Sequence, residues 1–444
     1  MIPAAEIYRK LLFLALRNVL RNWRHSLATI LAIASGFMAV SLFDGFIKEI
    51  EYRNIEGYAH RGMFGQLIIQ KKDAQHRLAE DQWTYSMDRK DQEFIEAYLQ
   101  KEGGVKSRVR LLSVTGMIST PSHNAVMVGV GHDVKEGLEF RGDRWSWNTT
   151  AGKPLHMADP GSILTGGALG RLLDCNPDPT PSFVLPDGNF VPEERSFKCR
   201  HNRVVVSATT ETAQVNAIDM PIAGMVDGAF REIDKRMAHM SLEDAQRLLD
   251  TDKVTMITVM LKDPETASDF AEKMSSAANA KGLNLDILPW YKHTVAAYVL
   301  GGIDVLHVFR NLFMLIVVAI GVISVANTMM KSVNERTREI GTLRSLGFLQ
   351  SQLVFIFSME GLFLALLACL VGLGMTLVVT FLVGQLGLTY KAGILSIPIQ
   401  LRIMLAPVAW TISAFVLTVL ATGTAWICSR RASAMVIADA MRHV

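Results

Sequence analysis

A charged segment lies between two long apolar segments in the C-terminal third of the chain. It spans residues 334–347 and reads NERTREIGTLRSLG. The apolar segments at 312–330 and 361–383 are each long enough to cross a hydrocarbon core of about 30 Å. A short charged connection between two such segments cannot lie in lipid, so it faces water at one membrane surface. Its helix-compatible pattern of acids and bases, closed by a glycine, predicts a docking surface for a cytoplasmic partner.

Four apolar segments predict a membrane α-helical bundle of four transmembrane helices. They are residues 27–47, 312–330, 361–383 and 403–428, and a spanning helix needs about 20 such residues. Between the first and the second lies a long, mostly polar stretch that is large enough for a hydrophobic core of its own. Charged residues still make up 20% of the chain. The predicted fold class is therefore a four-helix membrane bundle with a large α+β extracytoplasmic domain between helices 1 and 2.

The predicted segments follow one another along the chain in a simple order. They are a cytoplasmic or interfacial amphipathic helix (1–25), transmembrane helix 1 (26–47), an α+β domain with two subdomains (48–300), a stalk with transmembrane helix 2 (301–330), a cytoplasmic coupling helix (331–350), transmembrane helix 3 (351–384), a short periplasmic loop (385–402), transmembrane helix 4 (403–429) and a cytoplasmic tail (430–444).

Lysine and arginine side chains predict the orientation of the spans. They concentrate before span one, between spans two and three, and after span four, as in Arg17, Lys331 and Arg430. Both termini and the charged segment are therefore expected in the cytoplasm. The large domain is expected in the periplasm, which makes the chain a multi-pass protein of a bacterial inner membrane. The net charge of +3, without a basic stripe interleaved with aromatic residues, argues against a nucleic-acid partner.

Small residues at intervals of four predict close helix packing, either in bundling of the spans or in dimerisation. These packing residues are Ala28, Ala32 and Gly36 in the first span and Gly361 and Ala365 in the third. Intramembrane carboxylates are few, and both Asp44 and Glu360 lie near span ends. A proton-coupled carrier would place such groups near the bilayer centre. Glu360 is therefore interpreted as an interfacial or interhelical contact.

Alternating strands and helices are predicted within the large domain. Strands are expected at 66–70, 108–119, 125–130, 203–208, 222–226, 254–261 and 283–288, and helices at 91–101, 161–174, 241–250 and 264–281. Cys175 and Cys199 flank an excursion that is rich in Pro, Asp and Gly. On the oxidising side of a membrane these cysteines form either a disulfide or two free thiols, and the sequence leaves both open.

Motifs for catalysis or metal binding are absent from the sequence. It holds no G-x-x-x-x-G-K-[ST] for a P-loop, no H-E-x-x-H for zinc and no G-x-S-x-G for a hydrolase nucleophile. The histidines are scattered along the chain. No catalytic, cofactor-binding or metal-binding residue is therefore predicted, and the chain is expected not to be an enzyme.

Four parts of the sequence resemble one protein family. The charged segment at 334–347 looks like the coupling segment of the FtsX-like permeases of ABC transporters. The stretches ALRN (15–18) and RNWR (21–24), the pattern ILTGGALGRLL (163–173) and the tail ADAMR (438–442) resemble other family signatures, with Ile437 where the family has proline. The chain thus resembles the FtsX-like, MacB-type permease superfamily. In layout it is most similar to the lipoprotein-releasing permeases.

The resemblance implies a non-catalytic subunit with several partners. These are two copies of a cytoplasmic ABC ATPase, which would bind ATP and Mg²⁺ so that this chain needs no cofactor, and a second permease copy or paralogue. Membrane lipids and a periplasmic or outer-membrane partner are further expected contacts. The ATPase-coupling residues are predicted to be Glu335, Arg336, Arg338, Glu339, Ile340, Gly341, Leu343, Arg344, Leu346 and Gly347.

Each residue type in this set has a physical role in docking. Charged side chains such as Arg336 favour orientation and association rate more than affinity. Ile340 and Leu343 would supply an apolar anchor, and Gly341 would permit close backbone approach. Gly347 would end the helix.

The implied function is to couple ATP hydrolysis by the separate ATPase to a periplasmic conformational change. That change would export or extract a lipoprotein, a lipid or another hydrophobic substrate. Two alternatives stay open: an FtsX-like mechanotransmission regulator of a periplasmic enzyme, and a membrane-anchored periplasmic enzyme. The missing nucleophile motif argues against the second alternative.

Overall fold

The structure is a computed structural model that describes residues 4–21, 23–178, 195–228, 230–390 and 399–433. It divides into two compact units. The helical unit comprises Met1–Glu51, Gly302–Gly387 and Arg402–Val444, and the sheet unit comprises Tyr52–Gly301 and Leu388–Leu401. The predicted tail signature at 438–442 lies outside the described residues.

The described elements are long helices in one unit and short helices and strands in the other. The α-helices are α1 (Ala4–Arg21), α2 (Trp23–Glu56), α3 (Ala74–Arg77), α4 (Arg89–Lys101), α5 (Val134–Arg141), α6 (Gly167–Leu172), α7 (Arg231–Asp234), α8 (Leu242–Leu249), α9 (Ala267–Ala280), α10 (Thr294–Glu335), α11 (Thr337–Ser345), α12 (Gln350–Leu386) and α13 (Pro407–Ser433). The strands are β1 (Leu67–Lys71), β2 (Val105–Ser119), β3 (Asn124–His132), β4 (Thr149–Gly152), β5 (Ile163–Gly166), β6 (Cys175–Pro177), β7 (Phe197–Cys199), β8 (Arg203–Thr209), β9 (Val215–Val226), β10 (Met237–Ser241), β11 (Met256–Leu261), β12 (Leu285–Pro289), β13 (Thr389–Tyr390) and β14 (Ile399–Gln400).

Four helices are long and apolar enough to cross a membrane. They are Ser26–Arg61, Leu300–Glu335, Gln350–Leu386 and Pro407–Arg431. Together with the α+β unit between the first and the second, they confirm the predicted fold class. The predicted start of the fourth span is corrected, because residues 403–406 are irregular and the helix begins at Pro407. Proline lacks an N–H, which costs nothing at the first helical position but would break a helix further in.

Apolar side chains hold the helical unit together. One buried cluster joins Ile33 of α2, Val325 of α10, Leu364 of α12 and Ala421 of α13. Every spanning helix therefore contributes to one shared core, although the outer faces of these helices stay apolar and exposed. Such a surface is stable in lipid but not in water.

The predicted N-terminal amphipathic helix is present as α1. It buries Leu11 and Ala15 against Ile356 of α12. On another face Phe13 is 69% exposed. The helix thus packs one apolar face on α12 and leaves another apolar side chain exposed, and its position along a lipid surface stays a prediction.

The sheet unit contains a closed ring of six strands. Strand β2 pairs with β3, β3 with β10, β10 with β5, β5 with β9, β9 with β8, and β8 again with β2. Inward-facing residues of the ring, among them Val114, Met127 and Ile163, are fully buried in the main core. At Gly116 a Cβ would lie 2.2 Å from the carbonyl oxygen of Ser207, so glycine is required where β2 meets β8.

A split β-α-β arrangement extends from the ring through β2. The segments β1–α4–β2 and β11–α9–β12 place their strands in the order β12-β1-β11-β2, all antiparallel. The sequence predicted two subdomains here. The structure has two parts that share β2 within a single ten-stranded sheet, because the long strand β2 pairs with β11 at one end and with β8 at the other.

The predicted helix at 161–174 is wrong over its first half. Residues Ile163–Gly166 form strand β5, and the helix α6 covers only Gly167–Leu172. Tertiary pairing decides this, since β5 is buried between β9 and β10. The predicted start of the helix at Ser241 is confirmed, because the Ser241 side chain accepts a hydrogen bond from the backbone N–H of Asp244.

Candidate functional site

The charged segment folds into a short helix with a defined start and end. Helix α10 stops at Glu335, the backbone breaks at Arg336, and α11 covers Thr337–Ser345. At its end Gly347 has a φ of +95°, its N–H donates to the carbonyl of Arg344, and the N–H of Phe348 donates to the carbonyl of Leu343. This hydrogen-bond pattern is a Schellman motif. Gly347 therefore ends the helix, and α11 is a discrete element rather than a slack loop.

A buried ion pair fastens the start of α11 to the third span. Nη1 of Arg336 lies 3.1 Å from Oε1 of Glu360 on α12, and the two side chains are only 10% and 4% exposed. Nδ2 of Asn18 on α1 donates to the same carboxylate oxygen at 2.6 Å. One carboxylate thus joins α1, α12 and the α10–α11 junction. We call these three residues the Glu360 network.

A polar cavity lies beside the Glu360 network. Its volume is about 160 Å³, and its walls include Ser26, Asn327, Lys331 and Glu335. A water molecule occupies about 30 Å³ of liquid, so the space can hold several. The helices are therefore not tightly packed at this level.

The sequence assigned an apolar anchor for the partner to Ile340 and Leu343, and the structure corrects this. Ile340 is buried in a cluster with Val333, Leu353 and Phe357 of its own chain, and Leu343 packs against that cluster. The anchor face therefore stabilises the position of α11 itself. Gly341 is also buried.

The other predicted coupling residues differ in how far they are exposed. Arg336, predicted to meet the partner, is buried in the Glu360 network. Glu335 is exposed at the end of α10, and Leu346 is 73% exposed. The side chains of Arg338 and Glu339 lie outside what the structure describes. The sequence reading missed Leu349, an apolar residue that is 63% exposed just beyond the glycine cap.

A second buried ion pair, which the sequence reading also missed, lies towards the other end of α10. Nε of Arg310 lies 2.9 Å from Oδ1 of Asp44 on α2, and Nη2 of Arg310 donates to Oγ of Ser413 on α13 at 3.1 Å. The indole N–H of Trp410 donates to the carbonyl oxygen of Ser41 in the same region. We call Asp44, Arg310 and Ser413 the Asp44 network. The available sequence signal was Arg310, which lies two residues before the apolar segment that begins at residue 312.

The predicted packing residues divide into buried and open ones. Gly361 and Ala365 are buried on α12, where a Cβ on Gly361 would lie 2.4 Å from Cβ of Ala425 on α13. Gly36 faces Val317 of α10, where a Cβ would lie 2.7 Å away. Ala32 is half-buried. Ala28 is exposed, because the repeat of four does not follow the buried side of α2, so its role in helix packing stays a prediction.

Enlarging Gly361 is expected to separate α12 from α13. Gly361→Leu should lower the thermal midpoint of the purified chain, with a cost of about 1–3 kcal/mol typical of overpacking. Gly374→Leu is the matched control, since a Cβ at Gly374 meets no atom within 4 Å. Equal thermal midpoints of the two variants would contradict the close approach of α12 and α13. The double variant Gly361→Ala with Ala425→Gly, which exchanges the two side chains, should have the wild-type midpoint.

The two cysteines of the sheet unit are joined. Cys175 and Cys199 form a disulfide between the paired strands β6 and β7. The residues between them that the structure describes lead into a segment, 179–194, that lies outside the description. The bond thus closes the excursion at its base. The remaining cysteines, Cys369 and Cys428, are not bonded to each other.

Removing the disulfide is expected to destabilise the sheet unit. Replacing both Cys175 and Cys199 with alanine should lower the free energy of unfolding by about 3 kcal/mol, because the open excursion gains conformational entropy in the unfolded state. Chemical unfolding followed by tryptophan fluorescence measures this. Cys428→Ala is the control. Identical curves for wild-type protein with and without reductant would contradict the prediction.

Over the described ranges, no group of three or more His, Cys, Asp or Glu side chains is placed to hold a metal ion.

Comparisons with known proteins agree with this architecture at the helical unit. Residues 311–437 match the family model of the FtsX-like permease C-terminal domain. These residues contain the end of α10, the whole of α11 and α12, and α13. The match therefore covers the ion pair between Arg336 and Glu360.

Two curated relatives are similar over part of the chain. Both are named lipoprotein-releasing system transmembrane protein LolC, from Xylella fastidiosa strains Temecula1 and 9a5c. Each is 21% identical over 173 residues, which is 38% of this chain and 41% of the relative. The match thus spans about two fifths of the length of these relatives.

Two solved structures resemble the chain over about half its length. The extracellular domain of the noncanonic ABC-type transporter YknZ from Gram-positive bacteria has a TM-score of 0.32 and 8% identity, covering 50% of this chain and 98% of that one. The periplasmic region of MacB from Actinobacillus actinomycetemcomitans has a TM-score of 0.33 and 10% identity, covering 52% and 91%. The C-terminal segment at 311–437 is thus similar to the FtsX-like permease C-terminal domain.

Proposed function

We propose that the chain is the membrane subunit of an ABC transporter that is driven by a separate cytoplasmic ATPase. The observation that carries this proposal is α11, a short capped helix between two spans that is tied to the third span by the buried pair of Arg336 and Glu360. A rigid helix at a membrane surface can be displaced by the ATPase that binds it. The buried ion pair then transmits this displacement from α11 to α12. The ATPase subunits, two in number, would supply ATP and Mg²⁺ binding.

Docking would use the exposed end of α11 rather than its buried face. Leu346 and Leu349 are 73% and 63% exposed and flank the glycine cap. Interfaces bury apolar anchors of this kind at their centre and place charges at the rim. Glu335 is exposed nearby in sequence and suits such a rim. In this arrangement α11, both chain termini and the ATPase lie on the cytoplasmic side.

The displacement of α11 and α12 would cause a conformational change on the periplasmic side, where the sheet unit would lie. The Asp44 network supports this, because it joins three spans through the first half of α10, the half that follows the sheet unit in the chain. The substrate would be a lipoprotein, a lipid or another hydrophobic molecule. The relatives named as lipoprotein-releasing support that class. A second permease copy or a paralogue would complete the membrane part.

The docking proposal predicts a loss of the ATPase from variants at the exposed leucines. Leu346→Glu together with Leu349→Glu should leave the purified chain folded but reduce the co-purifying ATPase at least tenfold, because two carboxylates would be buried at an apolar contact. The measurement is tagged purification in mild detergent, with ATP hydrolysis and stoichiometry determined for the bound proteins.

Leu172→Glu is the matched control, since Leu172 is a half-exposed leucine of the sheet unit that is remote in sequence from α11. It should retain the ATPase. The proposal fails if wild-type protein yields no ATPase under several detergents. It also fails in its docking part if the double variant keeps a full complement of ATPase.

A further inference from the structure

Arg141 is a buried cation without a carboxylate partner among the described residues. It ends α5 and is only 5% exposed. Its Nε has no hydrogen-bond acceptor, and its Nη2 lies 3.5 Å from Nε2 of His132. Nδ1 of His132 lies 3.1 Å from the carbonyl oxygen of Asp133, so this nitrogen carries the proton and Nε2 accepts from Arg141. A neutral imidazole does not compensate a buried guanidinium, whose isolation from water is costly.

Two further basic side chains, His239 and Arg61, lie in the same region. Arg61 is placed there by its guanidinium, which lies 5.9 Å from the ring of Trp145, and by the preceding His60, whose Nδ1 lies 3.3 Å from the carbonyl oxygen of Phe140. The ring of His239 on β10 lies 5.9 Å from that of His132, is 8% exposed as a residue and has an Nδ1 without a partner. Arg61 donates to the side-chain and main-chain oxygens of Asp227 at 3.0 and 2.8 Å. The carboxylate of Asp227 is thus engaged by Arg61. Arg141 therefore keeps a buried positive charge without a carboxylate partner among the described residues.

The ionisation of these groups at neutral pH follows from their burial. Burial, and secondly the charge of Arg61, lowers the pKa of Arg141 to about 10, so Arg141 remains protonated. Burial, and then the charges of Arg141 and Arg61, lowers the pKa of His239 to about 3. Burial also lowers the pKa of His132 well below its ordinary value. Both histidines are therefore neutral, and His239 can donate or accept a single hydrogen bond through Nδ1.

We propose that Arg141, His239 and Arg61 form a binding site for a singly charged oxyanion, such as a phosphodiester or a carboxylate. The Nε–H and Nη–H edge of a guanidinium matches two oxygens of such a group, and one negative charge compensates that of Arg141. The Arg61 side chain is 19% exposed and forms the rim. Open space borders Gly142, where a Cβ would meet no atom within 4 Å. The site lies within the sheet unit and is independent of the proposed ATPase coupling.

The experiment uses the full chain in an uncharged maltoside detergent, without phosphate and at constant ionic strength in chloride. Dimethyl phosphate and acetate are titrated separately, and the thermal midpoint and the binding isotherm are recorded. At least one of them should raise the wild-type midpoint, and the stronger one identifies the source as phosphodiester or carboxylate. Arg141→Met should weaken that binding at least tenfold, and Arg141→Lys should weaken it less. Arg203→Met, an exposed arginine of β8 that pairs with Asp219, should bind like wild type.

A second readout separates a binding role from a structural one. Without oxyanion, Arg141→Met should melt no lower than wild type, because the substitution removes an uncompensated buried charge. A purely structural arginine would give a lower midpoint under every condition. If Arg141→Met does not fold, the proposal is tested with the wild-type titrations and with His239→Phe, which should bind the oxyanion more weakly than wild type. The proposal is overturned if neither oxyanion raises the wild-type midpoint above chloride, or if Arg141→Met keeps the full shift.

Discussion

Replacing Glu360 with glutamine is expected to destabilise the helical unit by about 3–5 kcal/mol, because it leaves the charge of Arg336 buried without its partner. Arg336 is 10% exposed at its side chain and lies 3.1 Å from Glu360, so its charge is largely buried. Arg336→Met should cost a similar amount by orphaning the carboxylate. The measurement is the thermal midpoint of the purified chain, together with the ATPase activity that the chain stimulates in its partner.

The double variant Arg336→Met with Glu360→Leu separates stability from coupling. Replacing a whole buried ion pair by apolar groups is often neutral for stability or stabilising, so the midpoint should return to near wild type. Coupling should stay lost, since α11 would no longer be tied to α12 by a directional bond. Restored stimulation in the double variant would refute a transmitting role for the pair. Glu335→Gln is the stability control, because Glu335 makes only an exposed pair with Lys331 at 3.9 Å, worth about 0.5 kcal/mol or less.

Replacing Asp44 with asparagine is expected to have the second large effect. It should destabilise the helical unit by about 3 kcal/mol or more. Asp44 is 5% exposed at its side chain and holds Arg310 at 2.9 Å. Without the carboxylate, Arg310 keeps only neutral partners such as Ser413, and its charge is poorly compensated. The thermal midpoint should fall, and the purified chain should become more sensitive to detergent.

An exposed pair between the same two helices provides the control. Oε1 of Glu51 on α2 lies 2.8 Å from Nε2 of His307 on α10, and the side chains are 33% and 50% exposed. Glu51→Gln should change stability by about 1 kcal/mol or less, because water solvates both groups. Equal effects of Asp44→Asn and Glu51→Gln would show that burial does not govern these pairs.

The comparison of the two networks shows where reading the sequence succeeds. The charged segment could be recognised as a helix between two spans, because its pattern is local and its glycine cap is contiguous with it. Glu360 was interpreted as an interhelical contact from its place near a span end. Its partner was not identified, because Arg336 was assigned to the ATPase instead. The ion pair joins residues that are 24 positions apart. It therefore depends on how α12 packs beside the end of α10.

Errors in the sheet unit have the same origin. Ile163–Gly166 was predicted as part of a helix, but the segment pairs with β9 and β10 as strand β5. The buried Arg141 carried no signal at all in the sequence. Its surroundings come from His132 on β3 and His239 on β10, which become neighbours only when those strands pair.

The sequence by itself determined the four spans, the large domain between the first two, and the place of the charged helix, since hydropathy and helix-capping act over a few neighbouring residues. Tertiary structure alone decided which charge pairs with which, that Ile340 faces its own chain, and that Leu346 and Leu349 remain open. The physical reason is distance along the chain. Contacts such as an ion pair, a buried anchor or a strand pairing join residues that are far apart in sequence. No local sequence pattern indicates that these residues will be in contact.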